Sequence, residues 1–122
     1  MAESVTVQME KILNEYTKDV EDATRRAMES TSREAASQLR ATSPKGRTGK
    51  YAPGWRVKKL DAKTAVVYNG AAPGLTHLLE NGHAVKNQYG STGKRARAIK
   101  HIKPVEEWAQ SEFPARVLRE LP

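Results

Sequence analysis

The apolar positions of the first forty residues recur at intervals of three, four or eight, which is the spacing of one face of an α-helix. Neither glycine nor proline interrupts the run from Ser4 to Leu39, and Pro44 follows it. Since the residue before a proline is pushed out of the helical region, the pattern predicts a helix over 4–41. This helix would be roughly 55 Å long, more than the body of a domain of this size, so part of it must project or pack on a partner. The apolar stripe comprises Val5, Met9, Ile12, Tyr16, Val20, Ala23, Ala27, Ala35 and Leu39.

Two short β-rich segments follow. The first, WRVKKL, alternates apolar and basic residues, and the second reads TAVVY. With a short polar turn between them, they predict a β-hairpin over 55–69. Residues 44–54 (PKGRTGKYAPG) are rich in glycine, proline and cations and predict a basic loop.

A short middle helix is expected over 75–82, with Gly82 as a left-handed C-cap. On a helical wheel its leucines fall within one third of the circumference, so we expect them to dock the helix on the core. His77 and Glu80 lie on the opposite side. The leucines are Leu75, Leu78 and Leu79.

Residues 84–100 (AVKNQYGSTGKRARAIK) are polar and basic and contain glycine, so they predict a second basic loop. Ile99 and Ile102 are expected to return the chain to the core, with a final strand as one option.

The C-terminal residues predict a helix over 104–121. Pro104 suits a first helical position, and Glu106 and Glu107 favour the positive N-terminal end of the helix dipole. Pro114 is expected either to kink this helix or to start a second one.

These elements predict a single α+β domain over residues 1–122: a long N-terminal helix packed with a small antiparallel β-sheet, a short middle helix and a C-terminal helix. Apolar residues make up 38% of the chain and aromatic residues 6%, so the core must be modest. Its expected aromatic anchors are Trp55, Tyr68 and Trp108.

The net charge of +7 is concentrated in the middle of the chain. Residues 41–103 hold thirteen Lys/Arg against two Asp/Glu, whereas each flanking segment has a net charge of −2. Such a segment attracts polyanions or acidic protein surfaces. The cations expected to face a partner or DNA from the basic loops are Lys45, Arg47, Lys50, Lys86, Lys94, Arg95, Arg97, Lys100 and Lys103.

Two histidines flank a glutamate in the stretch THLLENGH, so we considered a metal or acid/base site there. A zincin needs two histidines four apart with the glutamate beside the first, and that spacing is absent. His101 could join His77 and His83 in a metal-dependent hydrolase, but a structural or interface role for these histidines is favoured. The chain has no cysteine and no nucleophile or phosphate-loop motif, so we expect no catalytic residue, no metal and no cofactor.

A basic nucleic-acid-binding module is the alternative reading of the charge. Neither a row of aromatic stacking residues nor a helix-turn-helix accompanies the cations, so nonspecific contact is favoured over sequence reading. No apolar run is long enough to span a bilayer, and the first residues lack the layout of a signal peptide, so neither a membrane association nor a leader is expected.

Several short motifs, in their order and spacing, resemble the tailed-bacteriophage neck family of head-tail joining or tail-completion components. The resemblance covers most of the chain. It rests on Ser43-Pro44, Arg47 to Ala52, Gly54-Trp55, Val67 to Asn69, Leu75 to His83 and His101 to Pro104. The positions it marks as structural are Gly49, Trp55, His77, Leu78, Leu79, Glu80, Gly82, His83, His101 and Pro104.

The resemblance implies a non-enzymatic virion subunit that forms a homo-oligomeric ring between the portal complex and the tail. It implies other neck, connector and tail proteins as partners, and a location in the virion after assembly in the host cytoplasm. Nonspecific contact with DNA passing through the channel is a further expectation. We hypothesise that loops 44–54 and 84–100 are mobile in the free subunit and become ordered on assembly.

Two substitutions test the reading of the THLLENGH stretch. Gly82→Val should destabilise the fold or block assembly, because a β-branched residue resists the left-handed cap. His83→Ala should leave folding intact. Thermal unfolding of both variants would check this, and unfolding of the His83→Ala variant would contradict it.

Overall fold

The computed structural model describes residues 5–45 and 47–122 and confirms the α+β class. Helix α1 is followed by a short 3-10 turn, a β-hairpin, helix α2, a second β-hairpin and helix α3. The elements are α1 Val5–Thr42, the 3-10 turn Ala52–Gly54, β1 Trp55–Lys59, β2 Ala65–Asn69, α2 Leu75–Asn81, β3 His83–Asn87, β4 Gly90–Ala96 and α3 Ile102–Glu120.

Helix α1 has 38 residues and provides the surface on which α3, the first hairpin and the 3-10 turn pack. The predicted start at Ser4 lies outside the described residues. Helix α3 runs antiparallel along α1, because the C-terminal Glu120 accepts a hydrogen bond of 2.8 Å from Arg26 Nε while Val105 joins the core beside Leu39. The stretch of α1 before Val20 therefore extends past the end of α3.

The core is small and centred on the C-terminal half of α1. Its buried cluster consists of Ala35, Leu39, Tyr51, Trp55 and Val105. The prediction of Trp55 as an anchor is confirmed, and Trp108 packs against this cluster with the Arg116 guanidinium 5.3 Å from its ring centre. Tyr68 was wrongly predicted as an anchor: it is 41% exposed.

The first hairpin is confirmed. Strands β1 and β2 are antiparallel, with Trp55 opposite Asn69 and Val57 opposite Val67. Because side chains alternate between the faces of a sheet, these pairs share the face toward α1, and Tyr68 lies on the other face opposite Arg56. This register explains why Tyr68 does not reach the core.

The second basic segment is not the extended loop predicted over 84–100. Strands β3 and β4 pair antiparallel from His83↔Ala96 to Asn87↔Gly90, with a register irregularity between Ala84 and Lys86. The described side chains of β4 are mostly exposed, and β4 shows no alternation of apolar and polar residues in the sequence. We call this hairpin the arm.

Helix α2 spans Leu75–Asn81, one residue shorter than the predicted 75–82, and two further details differ. Only Leu79 packs against the core, whereas Leu75 and Leu78 are each 40% exposed, because a helix of seven residues presents little surface to dock. Gly82 has φ 76° and ψ 170°, so it is not the left-handed C-cap. This region of backbone space is open essentially to glycine alone.

The environment of Gly82 adds a steric reason for glycine. A Cβ at Gly82 would lie 2.6 Å from the Ala96 carbonyl oxygen, whereas one at Gly74 would meet nothing within 4 Å. The Gly82→Val test therefore has a matched control in Gly74→Val.

Helix α3 begins at Ile102, two residues before the predicted start. Pro104 is thus the third helical residue, where its missing N–H is still one of the four without an intrahelical partner. Ile102 opens the helix instead of forming a final strand, and the Ile99 N–H donates to the Leu79 carbonyl oxygen at 2.7 Å. Pro114 lies inside a continuous helix on its exposed side and starts no second helix.

The predicted loop over 44–54 is irregular only in its first part. Tyr51 and Ala52 are buried, and the 3-10 turn Ala52–Gly54 leads directly into β1. The second half of this segment therefore belongs to the core. Ordering of the rest on assembly stays a prediction.

Candidate interaction surfaces and the buried polar cluster

A buried polar cluster joins three elements that are distant in sequence. The Tyr51 hydroxyl lies 2.7 Å from His101 Nε2, and both residues are almost inaccessible to solvent. His101 Nδ1 lies 2.7 Å from the Ile99 carbonyl oxygen and 3.1 Å from Glu80 Oε1. Because both of these neighbours are acceptors, the geometry places a proton on Nδ1, so that in the neutral ring Nε2 accepts from the Tyr51 hydroxyl.

Glu80 holds the start of α3. Its carboxylate accepts backbone N–H bonds from His101 at 2.8 Å, Ile102 at 2.9 Å and Lys103 at 3.0 Å. These are N–H groups that a helix N-terminus leaves without intrahelical partners, and a carboxylate also complements the positive end of the helix dipole. A side chain of α2 thereby caps α3.

The pKa values of this cluster follow from burial and hydrogen bonding. Burial by itself raises the pKa of Glu80, but the three backbone N–H groups and the adjacent His101 ring bring it below its ordinary value. Burial also raises the pKa of the Tyr51 phenol; a hydrogen bond with Thr76 opposes this shift and the Glu80 charge reinforces it. Tyr51 therefore keeps its proton and Glu80 its charge at neutral pH.

A second set of polar contacts fixes the chain around Trp55. The Trp55 Nε1–H donates to Ser43 Oγ at 2.8 Å, and Asn69 Nδ2 donates to the Tyr51 carbonyl oxygen at 2.8 Å. Asn69 Oδ1 accepts the N–H groups of Ala71 and Ala72. The sequence analysis did not predict these roles of Tyr51 and Asn69. The one available signal was that both residues lie within the motifs that carry the family resemblance.

The positions marked by the family resemblance divide into two groups. Those in or next to the core are Trp55, Leu79, Glu80, Gly82 and His101. Exposed positions are Gly49, with φ 71°, and His77, Leu78 and Pro104. The His83 side chain lies outside the described set.

The cations predicted to face a partner do not form one patch on one element. Lys45, Arg47 and Lys50 are exposed before the first hairpin, and Lys94 and Arg95 are exposed on β4. Arg97, Lys100 and Lys103 are exposed between the arm and α3, and the Lys86 side chain lies outside the described set. None of these eight described cations has an ion-pair partner within the described ranges.

The two histidines whose side chains the structure describes, His77 and His101, lie in different environments. His77 is exposed, whereas His101 is enclosed by Tyr51 and Glu80. Across residues 5–45 and 47–122, no group of three or more His, Cys, Asp or Glu is placed to hold a metal ion.

The projecting end of α1 carries a group of large apolar side chains that are exposed together. Every residue from Gln8 to Lys18 is exposed. Four large apolar side chains at positions i, i+3, i+4 and i+7 are between 57% and 63% exposed, and they continue the helix face that is buried further along at Ala23 and Ala27. These four residues, the stripe, are Met9, Ile12, Leu13 and Tyr16.

An open apolar cleft separates the first hairpin from α3. Its floor is α1, and its two connected parts, of about 230 Å³ and 210 Å³, share Ala35, Val67 and Ala109 in their linings. The buried Thr31 Oγ1 at this floor has no hydrogen-bond partner among the residues that the structure describes. The other lining residues include Met28, Leu39, Trp55, Val105 and Phe113.

These features define a small α+β protein with one projecting helix, and the family comparison is in keeping with them. Residues 8–82, more than half of the chain, match the family model of HK97-gp10-like proteins, described as "Bacteriophage HK97-gp10, putative tail-component". The chain belongs to this family and is a bacteriophage structural protein of the tail-component class. Comparison with curated proteins and with solved structures gave no match. No helix in the described ranges is long and apolar enough to cross a membrane.

Replacing the capping carboxylate tests the polar cluster. Glu80→Gln should lower the free energy of unfolding at neutral pH by about 1–3 kcal/mol, because a charged acceptor of three backbone N–H groups is lost. Urea denaturation measures this loss. Glu107→Gln, an exposed carboxylate in the first turns of the same helix, is the matched control and should change little.

The pH dependence of this difference follows from the lowered pKa of Glu80. The stabilisation that the Glu80 carboxylate contributes is fully present above its ordinary pKa of 4.5. It is lost as the pH falls through the lower pKa that Glu80 has in the folded state. The stability gap between wild type and Glu80→Gln should therefore narrow in acid. A gap that is independent of pH would contradict the charged cap.

Proposed function

We propose that this protein is a ring-forming subunit of the phage neck that joins the head to the tail or completes the tail. Family membership supports a tail component. The finer assignment to a ring in the neck is our inference from the surfaces described above. The ring is a homo-oligomer in contact with other neck, connector and tail proteins.

The observation that carries the proposal is the projecting end of α1. A chain with a modest core leaves four large apolar side chains together on one exposed helix face. Burying such a side chain fully contributes about 1.5–3 kcal/mol of stabilisation. The isolated subunit lacks this stabilisation, and a neighbouring subunit that covers the four side chains can supply it. An assembly subunit uses this surface in the particle.

The distribution of charge supports a place beside the DNA path. Lys94 and Arg95 are consecutive in β4, so they point to opposite faces of the arm. The arm therefore has a positive electrostatic potential, but its cations do not share one face that could contact the base edges of DNA. This arrangement suits nonspecific contact with DNA in a channel. The same pattern argues against sequence-specific nucleic-acid binding as the main function.

The proposal includes no catalysis. The Tyr51, His101 and Glu80 arrangement combines groups that enzymes use, but Tyr51 and His101 are 1% and 2% exposed. A substrate would have no access to them. Their contacts to the ends of α2 and α3 suit a structural role.

A null allele in the phage or inducible prophage tests the function. We expect lysates of the null to contain DNA-filled heads and separate tails instead of joined particles, seen by negative-stain electron microscopy. Supplying the wild-type protein in trans should restore joined, infectious particles. Normal titres from the null, or antibody labelling away from the head–tail junction, would contradict the proposal.

The same complementation separates an assembly role of the stripe from loss of folding. Leu13→Glu in the stripe should fail to restore joined particles, because it places a charge on the face that a neighbour buries. Asn14→Glu introduces the same charge at the next exposed position, off the stripe, and should restore them. Equal rescue by both variants would exclude the stripe from assembly.

A further inference from the structure

We propose that the stripe of one copy is seated in the cleft of a second copy of this chain. The inference rests on the proposed function and names the contact that would build the ring. It follows from the shape, position and charge of the two surfaces.

The cleft has the form of a site for an amphipathic helix. Its floor is a helix, one wall is β2 and the other wall is α3 between Ile102 and Phe113. These eleven helical steps span about 16 Å, whereas Met9 to Tyr16 span about 10 Å, so the stripe fits within the length of the wall. A helix laid in a groove with anchors at i, i+3, i+4 and i+7 is a common recognition mode.

The occupant must come from another molecule. Tyr16 and Met28, the nearest members of the stripe and the cleft, are twelve residues apart on one continuous helix, or about 18 Å. A rigid helix cannot fold its own end onto its own flank. The stripe and the cleft of one chain therefore cannot satisfy each other.

Charge favours the cleft of a second copy over pairing of two stripes. Residues 8–22 hold five acids against two bases, so two such helix ends side by side would repel. The cleft is nearly uncharged by comparison: β2 has no charged residue, and the one charged residue in the cleft lining is Glu106. An acidic helix end therefore meets less like charge in the cleft than beside a second stripe.

The contact is heterologous, because each subunit uses two different surfaces. Such contacts form a closed ring when the rotation between neighbours closes and an open filament when it does not. Each copy then presents its cleft to one neighbour and its stripe to the other. This is the arrangement that a ring in the neck requires.

Two variants with one defective surface each provide the test. Leu13→Glu removes the stripe and keeps the cleft, whereas Ala109→Glu blocks the cleft and keeps the stripe. Both positions are helical, and glutamate is a good helix former. The exposed neighbours Asn14→Glu and Gln110→Glu are the matched controls. Circular dichroism and thermal unfolding establish first that all four variants are folded.

Sedimentation velocity of the full chain gives the readout. We expect wild type and both controls to self-associate, and each defective variant alone to weaken this association by about 30-fold or more. An equimolar mixture of the two defective variants should form a 1:1 dimer and stop there, because one intact stripe meets one intact cleft.

Three results would overturn the proposal. Undiminished self-association of Ala109→Glu would indicate pairing of two stripes. Absence of a dimer in the mixture of the two variants would exclude the stripe–cleft contact. A wild type that is monomeric at high concentration would indicate that the stripe binds a different protein. None of these results bears on the null-allele phenotype, so a failure of this contact is distinguishable from a failure of the proposed function. Should Ala109→Glu unfold, Ala65→Glu on the opposite wall replaces it.

Discussion

The structure depends on one constraint, which is that a small core must be assembled on a single long helix. The first hairpin and α3 both pack on α1, with the open cleft between them. The same helix continues past the end of α3, so the face that is buried at Ala23 and Ala27 becomes exposed at Met9 and Ile12. The projecting end of α1 and the cleft are thus two consequences of one arrangement.

The buried polar cluster fixes the position of α3 in this arrangement. Glu80 caps α3 from α2, and His101 links the start of α3 to Tyr51 at the entrance of the first hairpin. Each of these groups is satisfied by the others, so displacing one leaves buried donors or acceptors unpaired. The cluster therefore sets where α3 begins and, with it, one wall of the cleft.

The sequence predicted the elements whose pattern is imposed by burial on one side. The helical periodicity of α1 and the alternation of WRVKKL each reflect one face that packs on the core, and both elements are found. The arm was missed because the described side chains of β4 are mostly exposed and its sequence is polar, so it resembles a loop. The buried polar contacts were missed for another reason: Tyr51 and Asn69 contribute through individual hydrogen bonds, which follow no sequence period. The cleft arises from elements far apart in sequence, and no local pattern records it.

The central claim is that neighbouring subunits interlock through the stripe and the cleft, and site-directed cross-linking tests it most directly. The chain has no cysteine, so a double variant, Leu13→Cys with Ala109→Cys, adds the only two thiols. Oxidation of the assembled protein should give a ladder of disulfide-linked oligomers on non-reducing gels, while either single variant should stay monomeric. Dimers of Leu13→Cys alone, or a double variant that remains monomeric in the assembled particle, would contradict this account.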